Sequence, residues 1–237
     1  FGLKAKDITC DWVDLSPNGD RSKVLSFTPE ESLQFFNATP PRVQIIVDIP
    51  LAFDSFMALA STYGQIAREY PSISRPPNIE VHNRRTILSF MVETDWELFT
   101  TAYVVIIPFK DANLIQKNIV KTIGRIQNKK NNSLDIRTAN KVTKIGVSLK
   151  KIIDGFQEIK NKNEGHFFQG NTKIQMANSS GQKLTIYQHQ DFGRKLGNLG
   201  ETNSGSSKLL SPPNQLVALT PLNEGVDFIK NFQESYQ

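Results

Sequence analysis

Lys117, Lys121 and Arg125 recur at every fourth residue. On an α-helix that spacing stacks three cations along one face, about 6 Å apart at a rise of 1.5 Å per residue. Such a row suits a polyanion. Phosphates follow one another at about 3.4 Å along a strand of B-form DNA, so every second one falls near a cation. Lys129, Lys130, Lys144, Lys150 and Lys151 continue the same chemistry downstream. From Lys117 to Asn163 there are twelve Lys or Arg against three acids, Asp135, Asp154 and Glu158, a charge of +9. The rest of the chain has sixteen against twenty, a charge of −4. Positive charge is therefore localised, and this stretch is where a charged partner would be met. It is poor in aromatic residues, so bases find nothing to stack on. Phosphate contact without sequence reading is the expectation.

Other chemistry is thinner. There are three histidines, His82, His166 and His189, none at a metal-binding spacing. His166 and His189 flank a predicted hairpin, with Asp191 close by, and could form a metal or acid–base cluster there. Ser148-Leu-Lys-Lys151 fits the S-x-x-K pattern of Ser–Lys nucleophiles, but the companion motifs are missing. Asp191-Phe-Gly193 occurs without the Gly-rich loop or catalytic loop of a kinase. No phosphate-cradling G-x-x-x-x-G-K-[ST] or G-x-G-x-x-G is present. The single cysteine, Cys10, lies among Asp7, Asp11 and Asp14, which oppose thiolate formation. One cysteine also excludes an internal disulfide and a Cys-built zinc site, which points to an intracellular, cytoplasmic setting. No metal or cofactor is expected.

The elements that must position these residues follow from periodicity. Thr28-Pro-Glu-Glu opens a short helix to about Phe36, with Thr28 as its cap. Arg42–Pro50 is a β-branched strand. Leu51–Tyr70 is a helix burying Phe53, Phe56, Met57, Ala60, Tyr63 and Ala67. A hairpin turns at Asn83-Arg84, and Thr100–Phe109 reads as a further strand. The apolar run Ala102–Phe109 is far shorter than the roughly 20 residues of a membrane span. Residues 112–128 form an amphipathic helix with Ile115, Ile119, Ile123 and Ile126 on the face opposite Lys117, Lys121 and Arg125. A second helix, about Asn140–Lys160, carries a heptad seam of Val142, Ile145, Leu149, Ile152, Phe156 and Ile159, expected to pack on the sheet. Thr172–Gln188 alternates around Asn178-Ser-Ser-Gly181 and forms a hairpin. Residues 193–214 are rich in Gly, Ser, Asn and Pro. Leu216–Pro221 reads as a strand, and a short helix closes the chain.

The class is α+β, a mostly antiparallel sheet with amphipathic helices on it. Residues 1–192 form the main domain, 193–214 a flexible loop or linker, and 215–237 a strand and helix packing back on that domain. The function expected is non-catalytic binding of RNA or DNA through the basic helices. One alternative is a matrix-type assembly protein placing the same cations on an anionic membrane. Another is an enzyme with its site near His166, His189 and Asp191. Self-association through the Val142–Ile159 seam is a further partner expectation.

Overall fold

The computed structural model describes residues 9–37, 39–73, 75–128, 134–162, 168–193 and 220–233. A small antiparallel hairpin, β1 (Trp12–Asp14) and β2 (Val24–Ser26), precedes α1 (Pro29–Asn37). Thr28 starts α1 as a capping box. Its backbone N–H donates to the Glu31 carboxylate at 2.8 Å, and its hydroxyl oxygen accepts from the Glu31 N–H at 3.3 Å. The bonds from Thr28 to the carboxylate, the backbone one first, hold the Glu31 carboxyl below its usual value.

Five strands make the main sheet: β3 (Arg42–Val47), β4 (Asn78–His82), β5 (Arg85–Met91), β6 (Thr172–Ala177) and β7 (Lys183–Gln188). Their order is β4-β5-β3-β6-β7 and every pairing is antiparallel. The sheet is thus two hairpins placed on either side of a lone central strand. Asn83 and Arg84 hold positive φ, 48° and 62°, as a two-residue hairpin turn requires. Alternation is regular. β3 buries Val43, Ile45 and Val47, β5 buries Thr86, Leu88 and Phe90, and β6 buries Thr172, Ile174 and Met176. The other face is half-exposed, and there Gln44 donates to Ser89 across the β3–β5 pair at 3.1 Å.

Helices lie on the buried side, α2 (Phe53–Glu69), α3 (Leu98–Val105), α4 (Ala112–Asn128) and α6 (Leu222–Lys230), with α5 (Ile136–Lys162) outside α3, α4 and α6. The strand expected over Thr100–Phe109 is instead α3 and the turn after it; only Phe109 makes a bridge, to Phe168. Every residue of α3 is buried. A helix satisfies its own backbone, so it can be enclosed on all sides, where a strand would need neighbours to bond to. Tertiary context of that kind overrides the β propensity of Thr100, Thr101, Val104 and Val105.

Two further expectations are corrected. α2 buries Leu59, Thr62, Tyr63 and Ile66, while Phe53, Phe56, Met57 and Ala60 are exposed. The inward stripe is rotated from the one the aromatic residues suggested. The α5 seam packs on α3, α4 and α6 rather than on the sheet. α4 buries Ile115, Ile119, Ile123 and Ile126 as its periodicity required. α6 packs on α4, α5 and β7, and lies so near α4 that a methyl group on Gly225 would stand 3.1 Å from Ile126. Leu216–Pro221 lies almost wholly outside the described residues, as does most of 193–214. No helix among the described residues is long and apolar enough to cross a membrane.

Candidate functional site

The basic row of α4 follows from burial of its isoleucines. With that stripe inward, Lys117 and Lys121 are exposed and Arg125 is half-buried. No carboxylate among the described residues lies within 4 Å of these three charges; the ion pair that those residues do hold is His82 with Glu80 at 3.1 Å. On α5, Lys150 and Lys151 are exposed and equally unpaired among the described residues. Lys144 is exposed too, but its ammonium sits 4.3 Å from the centre of the Trp96 ring, a cation–π contact that ties α5 to the turn before α3. Lys129 and Lys130 lie outside the described residues.

One basic residue of the stretch is committed to the fold. Lys141 donates to the carbonyls of Lys230 and Phe232, at 3.0 and 2.7 Å, and so holds the end of α6. Val142, Ile145 and Leu149 of the seam are buried within the chain, which leaves them no surface for a second copy. The side chains of Phe156 and Ile159 lie outside the described residues.

His189 and Asp191 do meet, through the backbone. The Asp191 N–H donates to His189 Nδ1 at 3.1 Å, and the Asp191 carbonyl accepts from Asn171 at 3.3 Å. His189 Nδ1 is therefore an acceptor in a local turn. His166 lies outside the described residues. Around this turn is a buried polar cluster at the end of the sheet. Asp48 accepts from the Asn171 N–H at 2.7 Å and from its side-chain amide at 2.8 Å. The Asn171 amide oxygen accepts from Lys110 at 2.8 Å. Asp111 accepts from the Thr172 N–H and hydroxyl, at 3.1 and 2.7 Å. Burial, then the Asp111 charge, pushes the Tyr187 hydroxyl upward, so it stays protonated. These carboxylates face the donors that start β6, and the arrangement locks strands together. No group of three or more His, Cys, Asp or Glu among the described residues could hold a metal ion.

The structure adds a feature not anticipated from the sequence. A cavity of about 450 Å³ opens between α2, Ile73, residues 75–79 and Phe90, near the end of β5 remote from Arg85. Leu59, Tyr63, Ile73, Ile79 and Phe90 are among its walls. Two polar side chains reach it, Tyr63 and Arg75. The Tyr63 hydroxyl is already donated to the Val105 carbonyl at 2.7 Å, and burial raises its pKa well above normal. The signal in the sequence was Ala60, Gly64 and Ala67, small residues at helical spacing that leave a trough between larger ones. No family model, curated protein or solved structure matches this chain.

Proposed function

We propose that this chain is a non-catalytic nucleic-acid-binding protein that contacts phosphates through the outward cations of α4 and α5. The observation that supports it is the row of Lys117, Lys121 and Arg125, none within ion-pair reach of a carboxylate among the described residues. Cations held on a rigid helix keep their charge available to a phosphate backbone. Lys150 and Lys151 add to the charge on α5, and Lys144 contributes from its place over Trp96.

The binding is weak, salt-sensitive and indifferent to sequence. Fluorescence anisotropy with labelled RNA and DNA at low salt measures it. Replacing Lys117, Lys121 and Arg125 together by Gln is expected to weaken binding about tenfold or more. The slope of log affinity against log salt should also become shallower by roughly one for each cation that no longer meets a phosphate. No binding by the parent at low salt sinks the reading. The same cations would serve an anionic lipid surface, and flotation with and without anionic lipid separates the two. Among the described residues the large apolar side chains exposed on these helices, Val120, Ile136 and Val147, are too few for an insertion face. An enzyme centred on His189 and Asp191 has less support, because their contact builds a turn.

A further inference from the structure

We propose that the cavity beside α2 is a binding site for a single-chain aliphatic carboxylate, its tail among Leu59, Tyr63, Ile73, Ile79 and Phe90 and its anionic end on Arg75. The volume, about 450 Å³, falls in the range of pockets that hold small ligands, roughly 300–1,000 Å³. The walls are apolar apart from two groups. Tyr63 has committed its proton to Val105 inside the fold. Among the described residues Arg75 makes no hydrogen bond or ion pair and no carboxylate lines the cavity. A ligand that satisfies this wall must therefore be apolar for most of its length and carry one negative charge. Phe56 is itself one of the walls, and the exposed Phe53 and Met57 stand one helical turn before the lining residues Phe56 and Ala60, so the apolar face of α2 extends beyond the cavity, which suits a linear tail better than a compact ring. The site is separate from the cations of α4 and α5, and the inference does not depend on them.

Gly64 supplies a clean test. It lines the cavity from the middle of α2, and a Cβ built on it meets nothing within 4 Å. The Cβ of Gly64→Leu therefore stands clear and its side chain enters the space a ligand would use, and leucine is the better helix former. Decanoate and the uncharged decan-1-ol are titrated into the full chain, each displacing an apolar fluorophore, below micelle-forming concentrations. The parent is expected to bind decanoate at one saturable site, about three- to tenfold tighter than the alcohol. Arg75→Gln should erase that difference. Gly64→Leu should abolish binding of both while melting no lower than the parent by circular dichroism. The proposal is overturned if the parent shows no saturable decanoate binding or does not prefer the carboxylate. It is equally overturned if Gly64→Leu, still folded, binds decanoate as the parent does. A dimer in sedimentation that Gly64→Leu dissociates, with no decanoate bound, would assign the cavity to a second copy of the chain instead.

Discussion

Replacing Phe99 by alanine is expected to cost about 3–5 kcal/mol of folding stability, measured by equilibrium denaturation. Phe99 is fully buried in α3, the helix enclosed by the sheet on one side and by α5 on the other. Its ring lies 6.3 Å from Phe228 and 6.4 Å from Phe232, and those two rings are 5.4 Å apart and edge-on. The substitution removes the common neighbour of that group and leaves a void where α3 meets the C-terminal helix. Rigid elements on several sides keep the void from closing, which places the cost high in the usual range. Amide exchange in α6 should rise more than in β3, since α6 is held partly by these rings. A loss below about 1.5 kcal/mol would mean that the helices collapse into the space and that α3 is not tightly enclosed.

Asp48→Ala is the second large effect, also about 3–5 kcal/mol. Asp48 directly follows β3 and Asn171 directly precedes β6, so the two bonds to the Asp48 carboxylate, with the Asp48 N–H donating to the Asn171 carbonyl at 3.1 Å, close the end of the central pair. Alanine leaves the Asn171 N–H without an acceptor in a buried place and its side-chain amide with only the 3.3 Å bond to the Asp191 carbonyl, and each missing bond to a charged acceptor counts for about 1.5–3 kcal/mol. Asp48→Asn keeps one acceptor and turns an N–H toward another donor, so it should cost roughly half as much. If Asp48→Asn matched the parent in denaturation, the carboxylate would not be what holds the strands.

Legibility divided along physical lines. Where one side of an element is buried and the other wet, the pattern shows in the residues. β3, β5, β6 and α4 are of that kind, and the hairpins were marked by turn residues at Asn83-Arg84 and Asn178–Gly181. α3 is buried all round and so has no period to read, and its β-branched residues pointed to a strand. α2 misled for a different reason. Phe53, Phe56 and Met57 look like core residues but are exposed, and Phe56 borders a cavity that only the folded arrangement of α2, Ile73 and residues 75–79 creates. For the candidate site, the exposure of Lys117 and Lys121 was implied by the isoleucine stripe. The tethering of Lys141 to α6 and of Lys144 to Trp96 depends on distant parts of the chain meeting.

The lone central strand has a consequence for the order of biosynthesis. β3 pairs with β5 on one side within the first 91 residues, but its other side waits for β6, which begins at Thr172. Synthesis proceeds from the N-terminus, so about 80 residues, mostly of helix and turn, must emerge before that edge is covered. During that interval a nascent chain presents Arg42–Val47 as an open edge able to accept a strand from any neighbour. The half-exposed Arg42, whose charge discourages such pairing, lies at the start of that edge. Pulse-labelled exchange during refolding should find the β4–β5 hairpin protected before β6–β7. The reverse order would show that the late hairpin docks first and that the edge is never left open.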